Sequence, residues 1–411
     1  MKVRKGGSAG RRVLPSPSRR ADGPTSATTR PDLVLPTPPG IDREGREVTA
    51  TQQSTIADAA LQPALDRAVD LARRGPARDP NPRVGCVLLA PDGSLVAEGA
   101  HRGAGTPHAE TAALAAAGDA ARGATAVVTL EPCTHHGRTP PCATALVEAG
   151  VAAVVYAVPD VTAAGGGAQV LAAGGVDVRR EPHPGAEDLV ADWARAARLG
   201  RPHVTWKVAS TLDGRVAAAD GSSRWITSPQ AREAAHALRS RVGAVLVGTG
   251  TALVDDPGLT ARDGTGALLP EQPLRVVVGT RDLHPGSRLA TAVADGAGRE
   301  SVDADDPRPG EVVHLRTHDP AEVLADLRGR GVHGVLLEGG PTLGGAFWRA
   351  GLVDELLVHL APALLGAGPH AVPDLGIGTI ADAARLELVE VTTLGPDLQL
   401  RLRPTTPAQE D

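Results

Sequence analysis

Residues Glu131 to Cys142 read EPCTHHGRTPPC, which sets Cys133 and Cys142 around a loop of histidines, an arginine and prolines. The chain has three cysteines in 411 residues. That odd, small number builds no disulfide framework and points to a reducing compartment and to metal or catalytic use. Upstream, His108, Ala109 and Glu110 read HAE at the start of a predicted helix. One imidazole and two thiolates are three donors of the kinds zinc prefers. Structural zinc sites are normally closed by four protein ligands, whereas three ligands leave a position for water, the catalytic pattern. Glu110 stands two residues beyond His108, and on a regular helix residues so spaced point apart. Glu110 is therefore expected to carry protons beside the metal rather than to bind it. Both ligand-bearing segments are expected at helix N-termini, where the helix dipole favours thiolate. The remaining Cys86, inside an apolar strand pattern, reads as an inert packed thiol.

Outward from this loop the pattern alternates between the two secondary-structure periods. LQPALDRAVDLARRG (61–75) places apolar residues at helical spacing before a glycine stop. RVGCVLLA and SLVAEGA read as strands joined through PDG, a hairpin signal. HAETAALAAAG reads as a helix, ATAVVTL as a strand, CATALVEAG as a helix, VAAVVYAV as a strand, and GAEDLVADWARAARLG as a closing helix ending at Gly200. A second series follows. HVTWKVAS, GAVLVG, LRVVVG, GVLLEGG, ELLVHL and LQLRLR read as strands, and SPQAREAAHALRS as a helix with Ser228 as N-cap and Pro229 at its first position. The class is α/β throughout, with helices on the faces of two sheets. The expected division is a basic, disordered extension over 1–54, domains over 55–199 and 200–404, and a short tail over 405–411.

Composition narrows the partners. The first thirty residues carry eight Lys/Arg against Asp22 alone, so a whole-chain charge of −6 leaves −13 on the remainder. A net-acidic body does not offer the concentrated positive charge that phosphate backbones require, so no nucleic-acid partner is expected. No apolar stretch approaches the roughly 18 to 20 residues of a membrane span and nothing near Met1 resembles a signal peptide, so a cytoplasmic protein without a membrane partner is expected. Four Trp, one Tyr and one Phe leave the cores to Ala, Val and Leu.

PNPRVGCVLL (80–89), GAHRGAGTPHAE (99–110) and EPCTHHGRTPPC together resemble the deaminase half of the bifunctional riboflavin-biosynthesis enzymes, diaminohydroxyphosphoribosylaminopyrimidine deaminase fused to a uracil reductase. Nucleic-acid and nucleoside deaminases usually show P-C-x-x-C, and the long insert between these cysteines is far more specific to the riboflavin family. The resemblance implies a cytidine-deaminase-like three-layer α/β/α domain with a Zn2+ ion on His108, Cys133 and Cys142. Glu110 is then the catalytic proton carrier, and Asn81, His101, His135, Arg138 and Thr139 line the substrate pocket. A phosphorylated aminopyrimidine needs amide and imidazole groups for its ring edges and a cation for its phosphate, and those residue types are present.

KVASTLDGRVA, SSRWITSPQAR, VLVGTGTALVDDPGLTAR and LLEGGPTLGGAFWRAGLVDEL resemble, in order, the family's reductase domain, a dihydrofolate-reductase-like α/β domain. The resemblance implies NADPH contacts from Ala209, Trp225, Thr251, Asp255 and the run Gly340, Pro341, Thr342, Leu343, Gly344, Gly345 and Ala346, with Thr280 reaching the cofactor's ribose phosphate. It implies substrate contacts from Ser223, Arg239, Leu259, Arg262 and Glu338. Physically, a strand, two glycines and a helix start can aim free backbone N–H groups at a pyrophosphate. Arg239 and Arg262 suit a ribose phosphate. Lys207 and Asp213 read as site-shaping, because a lysine in an apolar strand is costly without a partner. A homo-oligomer is expected. Three other readings stay open: a deaminase acting on a flipped base, a zinc-stabilised binding module without activity, and a live deaminase with a decayed reductase.

Overall fold

The computed structural model describes residues 58–76, 78–136, 140–294 and 310–405. The basic extension expected over 1–54, and all of the expected tail but its first residue, lie outside them.

The first series of elements runs α1 (Asp58–Ala72), β1 (Gly85–Leu89), β2 (Leu95–Ala100), α2 (Ala109–Ala117), β3 (Thr125–Leu130), α3 (Cys142–Ala149), β4 (Ala153–Val158), α4 (Gly167–Ala173), β5 (Asp177–Arg180) and α5 (Pro184–Leu199). Its sheet has the order β2-β1-β3-β4-β5, antiparallel from β2 to β3 and parallel from β3 to β5. The period of two along each strand sorts the core into two layers. Cys86 and Leu88 of β1 pack with Ala109 and Ala113 of α2, Ala143 and Leu146 of α3, and Leu171 of α4. Val87 and Leu89 face the opposite way, onto Leu61, Leu65 and Ala68 of α1 and Ala186 of α5. The expected three-layer α/β/α arrangement results. The PDG hairpin forms as read, with Gly93 at φ 84° and the Asp92 carboxylate accepting from the Ser94 amide and hydroxyl.

The second series runs β6 (His203–Thr211), α6 (Pro229–Arg239), β7 (Ala244–Gly248), α7 (Thr249–Asp255), β8 (Leu274–Val278), α8 (Arg288–Ala294), β9 (Val312–Leu315), α9 (Pro320–Gly329), β10 (Gly334–Leu337), α10 (Pro341–Arg349), β11 (Glu355–Ala361), β12 (Leu386–Leu394) and β13 (Asp397–Pro404). The eight strands lie in the order β12-β13-β11-β6-β10-β7-β8-β9, parallel from β11 to β9 and antiparallel at β13 and β12. Ser228 caps α6 by accepting from the Ala231 amide, with Pro229 at the first helical position, as the sequence predicts. On one face Trp206, Leu246, Val276 and Leu337 pack with Leu324 and Leu327 of α9 and Phe347 of α10. On the other, Val245, Val247, Val277 and Leu336 pack with Ala252 and Leu289.

Three strands escape a reading by pattern. β5 is four residues ending in two arginines, β9 is equally short, and β12 is an edge strand whose Leu388 and Val391 are exposed, so its alternation marks no buried face.

Backbone approach at Gly99 seats α2 and hence the HAE segment. A Cβ there would lie 2.0 Å from the Ala109 carbonyl oxygen and 2.5 Å from the Ala113 amide nitrogen, both helix backbone that cannot yield locally. Gly99→Ala is therefore expected to destabilise the chain by about 3 kcal/mol. Urea unfolding followed by circular dichroism would show this as a lowered midpoint at unchanged slope.

Candidate functional site

β3 ends at Leu130, and Glu131, Pro132 and Cys133 follow at the carboxyl end of its parallel pairing with β4. The buried Glu131 carboxylate fixes this turn by accepting from the amides of Asp160 at 3.1 Å and Ala168 at 3.0 Å. Cys142 is the first residue of α3, and the Cys133 carbonyl accepts from the Ala143 amide, so both cysteines sit at that helix start. His108 is the N-cap of α2 with extended backbone, φ −66° and ψ 160°.

That extended cap alters one step of the sequence argument. His108 is outside the regular helix, so Glu110 does not turn away from it, and the two side chains line the same small cavity of about 180 Å³. Glu110 is nonetheless absent from the ligating set. The imidazole and the two sulfurs of His108, Cys133 and Cys142 all lie within 4.8 Å of one another. His108 Nδ1 is 3.6 Å from Cys133 Sγ and 3.3 Å from Cys142 Sγ. A tetrahedral zinc with ordinary bond lengths separates nitrogen from sulfur by about 3.5 Å, so the donors fit this ion.

Electrostatics point the same way. The two thiols share one proton: hydrogen bonding from Cys142 holds Cys133 below the usual thiol value, and Cys133 together with burial pushes Cys142 above it. Burial raises the Glu110 carboxyl to about 7, with the neighbouring Cys133 adding to the shift. A carboxyl near neutrality can both take and return a proton. Cys86 lies in the β1 core, and burial raises its thiol well above the ordinary value, in keeping with an inert packed group.

The cavity wall includes Asn81, His101, His135 and Trp193. Asn81 Nδ2 donates to His101 Nε2 at 3.2 Å, and His101 Nδ1 donates to the Pro107 carbonyl at 3.1 Å, which fixes the histidine's tautomer. The His135 ring centroid is 6.1 Å from that of His108. Arg138 and Thr139 lie outside the described residues. Trp193 on α5 carried no sequence signal, because its position on the helix face reads as core packing.

At the carboxyl ends of β6, β7 and β10, a larger cavity of about 950 Å³ opens. Ala209, Ser223, Trp225, Thr251, Asp255, Leu259, Arg239, Arg262, Glu338, Gly340 and Pro341 all line it, as does Lys207. Arg239 does not offer a free fork. Its Nε and Nη2 donate to the two Glu338 oxygens at 2.8 and 2.6 Å, and Nη1 donates to the Thr260 carbonyl at 3.2 Å. Burial opposes ionisation of Glu338, but Arg239 outweighs it and the carboxyl lies below its ordinary value. Burial lowers the Lys207 ammonium, and Glu338 partly offsets this. Arg262 donates to Thr260 Oγ1 at 3.1 Å and to the Gly266 carbonyl at 2.6 Å. Trp225 is 69% exposed at the rim, with the Arg232 guanidinium 4.4 Å from its ring centroid.

The rest of the expected cofactor set is not part of this cavity's lining. Within the run from Gly340, only Gly340 and Pro341 reach the cavity, whose lining does not include Thr342, Leu343, Gly344, Gly345 or Ala346. A Cβ on Gly344 would meet the Trp206 ring at 2.1 Å and one on Gly345 would meet Pro373 at 2.4 Å, so these glycines serve close packing. Thr280 is exposed beyond the cavity, 3.3 Å from His318 Nε2. Conversely, Arg232 and His236 line the cavity beside Arg239. Their spacing of four and three residues along α6 puts all three on one helix face, a signal legible in the sequence. Asp213 lies outside this cavity's lining, where its carboxylate accepts from Thr211 Oγ1 and from the Leu365 and Gly366 amides.

Fold and site together define an enzyme that joins a cytidine-deaminase-type zinc module to a reductase module. Residues 59–158 match the family model of the cytidine and deoxycytidylate deaminase zinc-binding region, and residues 202–400 match that of the RibD C-terminal domain. The riboflavin biosynthesis protein RibD of Mycobacterium tuberculosis is 49% identical over 79% of this chain and 91% of its own length. That of Escherichia coli is 41% identical over 82% and 98%. Among solved structures, Acinetobacter baumannii RibD superposes with a TM-score of 0.64 at 39% identity, covering 85% of this chain and 99% of that one. A Thermotoga maritima diaminohydroxyphosphoribosylaminopyrimidine deaminase/5-amino-6-(5-phosphoribosylamino)uracil reductase also gives 0.64, at 32% identity over 84% and 99%. The chain belongs to the RibD family of riboflavin biosynthesis proteins.

Two outcomes follow from these geometries. The purified chain is expected to hold about one equivalent of zinc, removable by chelator, and Cys142→Ala to hold almost none; plasma mass spectrometry reads both. Beneath the second cavity, His359 is fully buried, and burial together with Lys207 lowers its imidazole to about 4. Its neutral folded form contributes stability in full above the unfolded value near 6.5, and that contribution is lost as pH falls from there to about 4. The loss amounts to about 3 kcal/mol across the window. His359→Gln is expected to flatten that acid limb in urea titrations at stepped pH.

Proposed function

We propose that the chain catalyses two consecutive steps of riboflavin biosynthesis: hydrolytic deamination of a diaminohydroxyphosphoribosylaminopyrimidine, then reduction of the product's ribosyl chain to ribityl with NADPH. The observation that carries the first step is the convergence of His108, Cys133 and Cys142 on one centre beside the buried Glu110. Zinc bound there supplies an activated water at neutral pH. Glu110 takes the two protons of the water in turn at its carboxylate oxygen, delivering one to the ring nitrogen and the other to the departing amine, so that water and the aminopyrimidine become ammonia and the uracil. Asn81 and His101, locked to each other, present an amide and an imidazole to the ring edges. His135 closes the wall.

For the second step, NADPH supplies the hydride. The chain's own residues position and neutralise charge. Glu338 and Lys207 stand at the cavity floor, with Arg239 holding Glu338 ionised. Arg262 and Arg232 offer positive charge to the ribose phosphate, and the exposed Trp225 gives the cofactor an aromatic surface. Thr251 holds the start of α10 by accepting from the Gly340 amide at 3.1 Å.

The same proposal places the division between the two modules at Gly200, and the working protein as a homo-oligomer in the cytoplasm. Among the described residues no helix is long and apolar enough to cross a membrane.

Incubation of the purified chain with the pyrimidine substrate, with and without NADPH, separates the steps by product mass. Ammonia release without a reduced product would leave the deaminase alone. Glu110→Gln is expected to retain zinc and to lower deamination about 1,000-fold. Loss of zinc from that variant would contradict the role given to Glu110.

A further inference from the structure

The turn that carries Asn81 is held from the second sheet. His333, immediately before β10, donates from Nε2 to the Asp79 carbonyl at 2.7 Å. The Asp79 carboxylate in turn accepts from the Asn81 amide at 2.9 Å and from the Ala104 amide at 2.7 Å, tying the 79–81 turn to the 101–107 loop. Asp79 and His101 side chains are only 10% and 5% exposed. Gly331, at φ 74°, lies so close that a Cβ would sit 2.9 Å from the Asp79 carbonyl carbon. The segment from Asp79 to Asn81 is thus clamped between its own loop and the approach to β10.

We propose that His333, at the entry to β10 of the reductase sheet, is a positioning residue for the deamination. By fixing the Asp79 carbonyl it fixes the turn that points Asn81 Nδ2 at His101 Nε2 on the cavity wall. The contact is one hydrogen bond from a half-buried imidazole to a backbone carbonyl. Titratable and charged neighbours do not compete for it: Asp192, Arg328 and the Asp79 carboxylate act on His333 only through space, and burial keeps the imidazole below its ordinary value and so neutral near pH 7. The second sheet consequently sets the shape of a site whose metal and proton carrier belong to the first. This inference rests on the deaminase reading above for its kinetic consequence, but not for its structural one.

The test uses the full-length zinc-loaded chain carrying His333→Ala and, separately, His333→Gln, whose side-chain amide can donate in place of Nε2. Deamination by the alanine variant is expected to show KM raised about tenfold, the scale of one lost hydrogen bond, with zinc content and reductase kcat/KM unchanged. The glutamine variant is expected to restore most of the loss. In parallel, hydrogen exchange at the Asn81 and Ala104 amides is expected to quicken about tenfold in the alanine variant and to recover in the glutamine variant. Unchanged exchange at both amides would overturn the proposal, as would a glutamine variant no better than alanine or an equal fall in both activities. A wild-type chain that released no ammonia would instead refute the deaminase reading, and the exchange measurement would still decide the role of His333.

Discussion

Three acidic groups meet in the deaminase cavity, and their mutual repulsion is the constraint around which this half is built. Cys133, Cys142 and Glu110 are all buried, and no buried cluster of that kind ionises fully without a compensating cation. With protons alone, one is shared between the thiols and Glu110 is held near neutrality. A divalent ion on the two sulfurs and His108 would satisfy the cluster and leave the carboxyl beside it free to exchange protons. The sheet supplies the rigidity this needs. β3 delivers Cys133, the start of α3 delivers Cys142, and the close seating of α2 on Gly99 delivers His108 and Glu110 together.

The reductase cavity meets a related problem by pairing charges internally. Arg239 spends its fork on Glu338 and the Thr260 carbonyl, and Lys207 stands close enough to Glu338 to feel its charge. Such a buried pair is weak evidence of stability, because desolvation offsets much of its attraction. Its value is directional: it fixes a carboxylate at the carboxyl ends of the parallel strands, where open α/β sheets bind ligands. Arg275 assists from below, donating to the Gly258 and Gly310 carbonyls and so holding the loop in which Leu259 adopts φ 53°. Burial lowers this guanidinium to about 10.

Between the modules, polar contacts gather on one loop. Besides the bond from His333 to Asp79, Arg83 donates from Nη2 to both Glu271 oxygens at 2.9 Å and from Nε to the Pro76 carbonyl. The segment that leads from α1 to β1 therefore answers to the second sheet as well as to its own.

The amino-acid sequence by itself determined the α/β class, most of the strands and helices, and the His, Cys, Cys group whose donors converge as a metal would need. Cysteines and a His-x-Glu are rare residue types, and apolar alternation is a local property of the chain. It also determined the hairpin at Asp92 and Gly93 and the cap at Ser228, which rest on neighbouring residues alone. Tertiary structure decided what depends on distant segments meeting. Gly344 and Gly345 lie against Trp206 and Pro373, and Arg239 of α6 is gripped by Glu338, which follows β10, partners that no local pattern announces. His108 and Glu110 share a cavity because the cap is extended, and His333 reaches Asp79 across 254 positions of sequence. Local patterns encode which element forms, whereas the partner of a buried charge or a glycine is chosen by packing between elements that no short window of sequence contains.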